Sequence, residues 1–229
     1  CFLIDCRPID SSPNANIILE IADDNLCKMN KLRNNLLLLL SDAARYMTKA
    51  GETIKILYPN TFHISCLAHL LHNCALMIKS YYKDVDNLIS SIKAFTFKNK
   101  GRKELFSNIG SPPEPVVTRW GSWLSAAHYY SQNLPAVKRI VLSVDRDGII
   151  VAKAKESIQS TNLAQNLVEI CSTYLQINDL VTFAELLTCT IENLYSQIKS
   201  LSFGNDPVKI KEYIENSLQK NDIVRLFKM

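Results

Sequence analysis

Glycine is scarce, with six in 229 residues, and none of the six builds a glycine-rich phosphate loop. The chain also has no Gly-x-Ser-x-Gly elbow, no His-Glu-x-x-His pair and no Cys-x-x-Cys pair. These absences remove most hydrolase, kinase and metalloprotease readings. No apolar run approaches the roughly 20 residues that span a bilayer; Leu36–Leu40 is far too short. No basic segment leads into a long apolar one, so no signal peptide is visible and no membrane partner is expected. No internal repeat or low-complexity tract occurs. A strong charge of one sign is missing too: 26 Lys and Arg against 22 Asp and Glu leave a net +4. That surplus does not announce nucleic-acid binding by itself.

What is present suits an ordinary folded chain, with 47% hydrophobic and 21% charged residues. Seven cysteines occur: Cys1, Cys6, Cys27, Cys66, Cys74, Cys171 and Cys189. The count is odd and the spacings wide, which points to reduced thiols of the cytosol or nucleus. Cys74, Cys171 and Cys189 sit in apolar helical patterns and read as small core residues.

Along the chain, Ser11-Ser12-Pro13 suits a helix start, with a hydroxyl as cap. Ile17, Ile18, Ile21 and Leu26 give it an apolar stripe to about Lys31. Leu36–Leu40 is short and apolar on both faces, as a strand in mid-sheet would be. Ala43–Tyr58 has helical spacing, with Met47, Ile54 and Leu57 as candidate buried residues. Thr61–Ser65 reads as a strand and Cys66–Tyr82 as a helix. A strand–helix–strand–helix order predicts parallel pairing and an α/β core. Val85–Phe97 and Arg102–Ile109 look helical, and Gly110–Pro115 is a stiff linker. Val116–Ser143 begins extended and turns helical, with a break risk at Pro135. Beyond Ile149 only helical stripes remain: Leu163/Leu167/Ile170/Tyr174, Leu180/Phe183/Leu187, Ile191/Leu194/Ile198/Leu201 and Ile210/Tyr213/Ile214/Leu218.

Several residues could carry chemistry. Asp42 stands where a buried strand ends, the place where sites gather in open α/β sheets; Ser41 or Asp42 could equally cap the next helix. Cys66 and His69 share a helical face at i and i+3, but a zinc site needs further ligands that are not evident. Packing for Cys66 and a hydrogen bond for His69 are the plainer reading. Lys93, Lys98, Lys100, Arg102 and Lys103 fall within eleven residues that contain no acid. They form either a solvated helix end or a phosphate-contacting ridge. Arg119-Trp120 sets a guanidinium beside a π face, suited to a phosphate and an unstacked base. Alternatively the tryptophan anchors its helix to the core, helped by Trp123.

Taken in order, Leu36-Leu-Leu-Leu-Leu-Ser-Asp42-Ala-Ala-Arg-Tyr-Met47, Tyr58-Pro-Asn-Thr-Phe-His-Ile-Ser-Cys-Leu-Ala-His69 and Pro115-Val-Val-Thr-Arg-Trp120-Gly-Ser-Trp123 resemble hAT-superfamily DNA transposases, closest to partial or domesticated copies. The likeness covers about residues 1–145. It implies an α/β fold: a partial ribonuclease-H-like sheet with flanking helices over 1–145, followed by an all-helical insertion segment over 146–229. It also implies a DNA-binding, nuclear protein. In that family an acidic triad holds two cations, Mg²⁺ or Mn²⁺, for phosphodiester cleavage and strand transfer. Asp42 matches the second catalytic aspartate and so a metal ligand. Cys66 and His69 match the signature beside the site, with His69 near DNA. Arg119 and Trp120 match a motif whose tryptophan stacks on a flipped base.

The chain departs from that pattern. Too little sequence precedes Asp42 to hold the first aspartate, and Asp5 and Asp10 lack its surroundings. The last glutamate is expected beyond an insertion that the chain does not complete, and both ends look cut from a longer reading frame. The zinc-finger domain and the C-terminal segment through which such proteins form homo-oligomers are missing. The expectation is a fragment or relic that binds no metal tightly and cuts no DNA. The alternative is a non-catalytic DNA- or protein-binding module of the same origin. An all-helical scaffold unrelated to nucleases would require that Leu36–Leu40 and Phe62–Ser65 not be adjacent parallel strands.

Overall fold

A computed structural model describes residues 6, 8–10, 12–28, 38–97, 99–115, 121–145 and 148–227. The described chain is mainly helical, with one small parallel sheet. The elements run α1 (Ala15–Lys28), β1 (Leu38–Ser41), α2 (Arg45–Leu57), β2 (Phe62–Ser65), α3 (Leu67–Tyr81), α4 (Lys83–Thr96), α5 (Lys100–Glu104), α6 (Ser122–Leu142), α7 (Ile149–Ser157), α8 (Leu163–Ala184), α9 (Ile191–Ser200), α10 (Ile210–Gln219) and α11 (Ile223–Leu226). By packing, the chain divides into Cys1–Leu70 with Ile214–Met229, and Leu71–Tyr213. That division is one of contacts. The 145/146 boundary is what the resemblance implies. No helix among the described residues is long and apolar enough to cross a membrane.

In the first unit, β1 and β2 pair in parallel with Leu38 opposite Phe62 and Ser41 opposite Ser65. The intervening α2 supplies the crossover that parallel strands require. Its inner face is Ala50, Gly51 and Ile54, and Gly51 lets the helix approach the sheet closely at His63. Ile64 is fully buried. Tyr58, at the end of α2, donates its hydroxyl to Asp23 of α1 at 2.6 Å. The cap of α1 is Asn14, whose side chain accepts the Asn16 and Ile17 N–H groups at 3.0 and 3.1 Å. A hydroxyl cap from Ser11 or Ser12 was expected; Asn14 has the acceptor one residue before the helix, where geometry needs it. Ser11 itself lies outside the described residues.

Three further expectations change. β1 was read as apolar on both faces because a mid-sheet strand is covered twice. In the structure Leu38 is 36% and Leu40 53% exposed, and no third strand occurs among the described residues. Leu36 and Leu37 lie outside them. The Leu180/Phe183/Leu187 stripe does not persist, because α8 stops at Ala184 and leaves Leu187 in solvent. Cys74 is buried as expected, but Cys171 and Cys189 are only half-buried.

The second unit is built on α6 against α8 and α4 against α7. The α8 stripe Leu163, Leu167, Ile170 and Tyr174 is buried throughout. Polar side chains tie these helices at their rims. Trp123 Nε1 donates to Asp86 at 3.0 Å, Asn166 to Asp84 at 2.9 Å and Tyr174 to Asp206 at 2.8 Å. Pro135 does not end α6, which runs unbroken from Ser122 to Leu142. Its lost hydrogen bond is outweighed by apolar burial on both sides, at Leu134, Val137 and Val141. Gly121 opens α6 at φ +77°, and an added Cβ would press on Asn178 Oδ1 of α8 at 2.7 Å. The positive φ favours glycine there, and a side chain would also displace the Asn178 amide.

Gly51 offers a test. In mid-helix, Gly→Ala ordinarily stabilises by about 1 kcal/mol. Here the new methyl would overlap the His63 imidazole. Gly51→Ala is therefore expected to lower stability by about 1–3 kcal/mol. A thermal melt checks the sign; a raised Tm would refute this packing.

Candidate functional site

The loops after two neighbouring parallel strands leave from the same sheet end, and residues far apart in sequence meet there. Asp42 follows β1 and Cys66 follows β2. The Cys66 N–H donates to the Ser41 carbonyl at 2.7 Å, which fastens the two exits side by side. Asp42, Cys66 and His69 are all half-buried. Asp42 Oδ1 accepts the Ala44 N–H at 3.1 Å, an Asx turn that leads the chain into α2. Neither Ser41 nor Asp42 caps α2, whose N-cap is Ala44 with no side-chain bond; the Asp42 carboxylate shapes the turn before the helix and lies at the carboxyl end of the sheet.

The structure brings Asp42, Cys66 and the start of α3 that carries His69 to one end of one sheet. Arg119, Trp120 and Lys98 lie outside the described residues. Among the described residues, no group of three or more His, Cys, Asp or Glu stands close enough to hold a metal ion. A pair of Mg²⁺ or Mn²⁺ ions needs bridging carboxylates, and Asp42 alone does not supply them. The described side chains do not fit that group.

The basic stretch is occupied by the protein itself. Lys93 Nζ donates to the Pro115 carbonyl at 3.0 Å. Lys103 pairs with Glu114 at 2.9 Å and thereby holds that carboxyl below its ordinary pKa. Arg102 donates to the Phe95 carbonyl at 3.2 Å and lies over the Phe95 ring at 4.8 Å. Lys100 is exposed. With Tyr129, whose hydroxyl donates to the Gly110 carbonyl at 2.7 Å, Lys93 and Lys103 bind Gly110–Pro115 to the helices. The segment read as a linker is fastened, and a phosphate would have to compete for Lys93, Arg102 and Lys103.

A buried polar cluster was not singled out from sequence. His63 Nε2 and Ser41 Oγ lie 2.8 Å apart inside the sheet, each 7% exposed. Ser41 also donates to the Asp42 carbonyl at 2.8 Å. A hydroxyl has one proton, so Nε2 is the donor in the His63–Ser41 bond. That direction is wrong for an activated serine, which must give its proton to the imidazole. Burial, then the positive charge of Lys55, lowers the His63 pKa against smaller opposing pulls from Asp222 and Glu52.

On the outer edge of β2, the His63 N–H donates to Asp222 Oδ2 at 3.0 Å and Asn221 Nδ2 donates to the Ser65 carbonyl at 3.0 Å. Lys55 forms an ion pair with Asp222. Burial alone would raise the Asp222 pKa. The Lys55 hydrogen bond, the His63 N–H and the charges of Lys55 and Arg225 outweigh it and hold the carboxyl low. Gly51, a glycine in a helix interior, was the one sequence signal of this cluster: it marks a close approach.

No protein-family model, curated protein sequence or solved structure matches the chain.

The His63 environment sets a pH dependence. Its folded pKa lies below the unfolded value near 6.5, so below that value the unfolded chain binds the extra proton first. Stability is expected to be level above pH ~6.5 and to fall as the pH drops from there toward the folded pKa. Urea titrations of the chain and of His63→Gln between pH 8 and 5 isolate this contribution. The variant should lose less stability over the interval; parallel curves would show that His63 does not cause the decline.

Proposed function

We propose that the chain is a partial or decayed copy of a hAT-like transposase core, derived from a ribonuclease-H-like sheet, and that as it stands it cuts no DNA. The observation that supports the reading is the parallel β1–β2 pair. It brings the acid that ends Leu36–Asp42 and the start of the Cys66–His69 turn to one end of one sheet. One carboxylate cannot hold two divalent cations, so cleavage and strand transfer belong to the ancestor. The same count favours a second reading: a non-catalytic module that binds DNA in the nucleus, or a protein partner, needs no acidic triad. For DNA, Trp120 would supply the base stacking that the resemblance assigns it, and the Arg119 guanidinium beside it suits a phosphate. Lys98 and Lys100 would contribute the phosphate contacts that Arg102 and Lys103 offer only by giving up internal partners.

Supercoiled plasmid incubated with the chain and Mg²⁺ or Mn²⁺ should show no nicking above that of Asp42→Ala. Metal-dependent nicking that disappears in Asp42→Ala would overturn the inactive reading. Trp120→Ala should weaken binding to a duplex with one unpaired base by about tenfold, the stacking of one base. Fully paired duplex should be nearly unaffected. Fluorescence anisotropy measures both; equal affinities of the chain and the variant for the two DNAs would remove the stacking role.

A further inference from the structure

We propose that residues 221–226 form a releasable strap that closes the outer edge of β2, with the Asp222 carboxylate as its latch. The inference does not rest on the transposase reading. A strand edge presents a row of N–H and C=O groups, normally matched by the backbone of another strand. On β2 the match comes from chain 156 to 159 residues away, and largely from side chains. The Asp222 carboxylate stands in for a carbonyl opposite the His63 N–H, and the Asn221 amide stands in for an N–H opposite the Ser65 carbonyl. The one backbone bond, from the Asp222 N–H to the His63 carbonyl, is long at 3.4 Å.

Two further groups hold the strap closed. Ile223, fully buried, anchors its start. Arg225 lies over the Phe62 ring at 5.7 Å and near Asp222 Oδ1 at 3.7 Å. The carboxylate is the common point: it accepts from His63 and pairs with Lys55 of α2. None of these contacts belongs to the β1–β2 ladder, which lies on the opposite edge of β2 and is continued just past its end by the bond from the Cys66 N–H to the Ser41 carbonyl. The strap can therefore leave while the strand pair stays. Its departure bares the N–H and C=O of His63 and the C=O of Ser65, an edge able to accept another strand. Because Ser65 directly precedes Cys66, the tail also fastens the end of the strand from which the candidate site begins.

Amide hydrogen exchange of the full chain, read residue by residue, tests this. In the unmodified chain the His63 amide should exchange faster than the Cys66 amide, since local opening frees the first and not the second. Asp222→Ala should speed His63 exchange by about tenfold or more, the loss of a charged acceptor, and leave Cys66 unchanged. Asp222→Asn keeps an acceptor oxygen and loses the ion pair, so it should fall between the two; it also carries the comparison if the alanine variant does not fold. Equal acceleration at both amides would mean that the edge opens only with the whole sheet, and an unchanged His63 would mean that the carboxylate does not hold it. Either result overturns the strap.

Discussion

A strand of only four residues has few backbone groups, and a buried one cannot leave them unpaired. β2 meets this demand on two sides. One edge pairs with β1, and the other is met by Asn221 and Asp222. Most of the first unit follows from that requirement. It brings Asn221 and Asp222 back to a strand near residue 63. It places Lys55 where it can neutralise the carboxylate that substitutes for a carbonyl. It also aligns the two strand ends from which Asp42 and Cys66 emerge.

The same strand explains why a helix-breaking residue sits inside α2. His63 turns its imidazole toward β1 and α2 at once, donating to Ser41 and lying against Gly51. An imidazole kept neutral in this position costs little, because Nε2 has an acceptor, and burial together with the nearby Lys55 discourages a second proton. The pair joins two strands and a helix through one polar contact, and its direction makes it a structural bond and not a nucleophile.

The second unit uses charge in the same inward manner. Lys93 and Lys103 hold the proline-rich stretch by Pro115 and Glu114, and Arg102 folds onto Phe95. Three of the cations clustered in sequence, Lys93, Arg102 and Lys103, thus go to internal acceptors, while Lys100 is exposed. A basic run read from sequence reports only that the charges are adjacent; whether they face a phosphate depends on what else lies within a side chain's reach.

Much of the architecture was legible in the residues. The stripes of α8, α9 and α10 recur at helical spacing, the alternation at Phe62–Ser65 marks a strand, and the strand–helix–strand order dictates parallel pairing. These are local or nearest-neighbour effects, in which burial periodicity leaves a direct trace. The sequence by itself also determined that Asp42 and Cys66 would follow adjacent strands. Only the tertiary structure decided that Asn221 and Asp222 would seal β2, that His63 would bond Ser41 and that Lys93 would take the Pro115 carbonyl. Those contacts join residues 22 to 159 positions apart. A single polar residue carries no periodic signal of a distant partner, and its role is settled only when packing brings the two within hydrogen-bond reach.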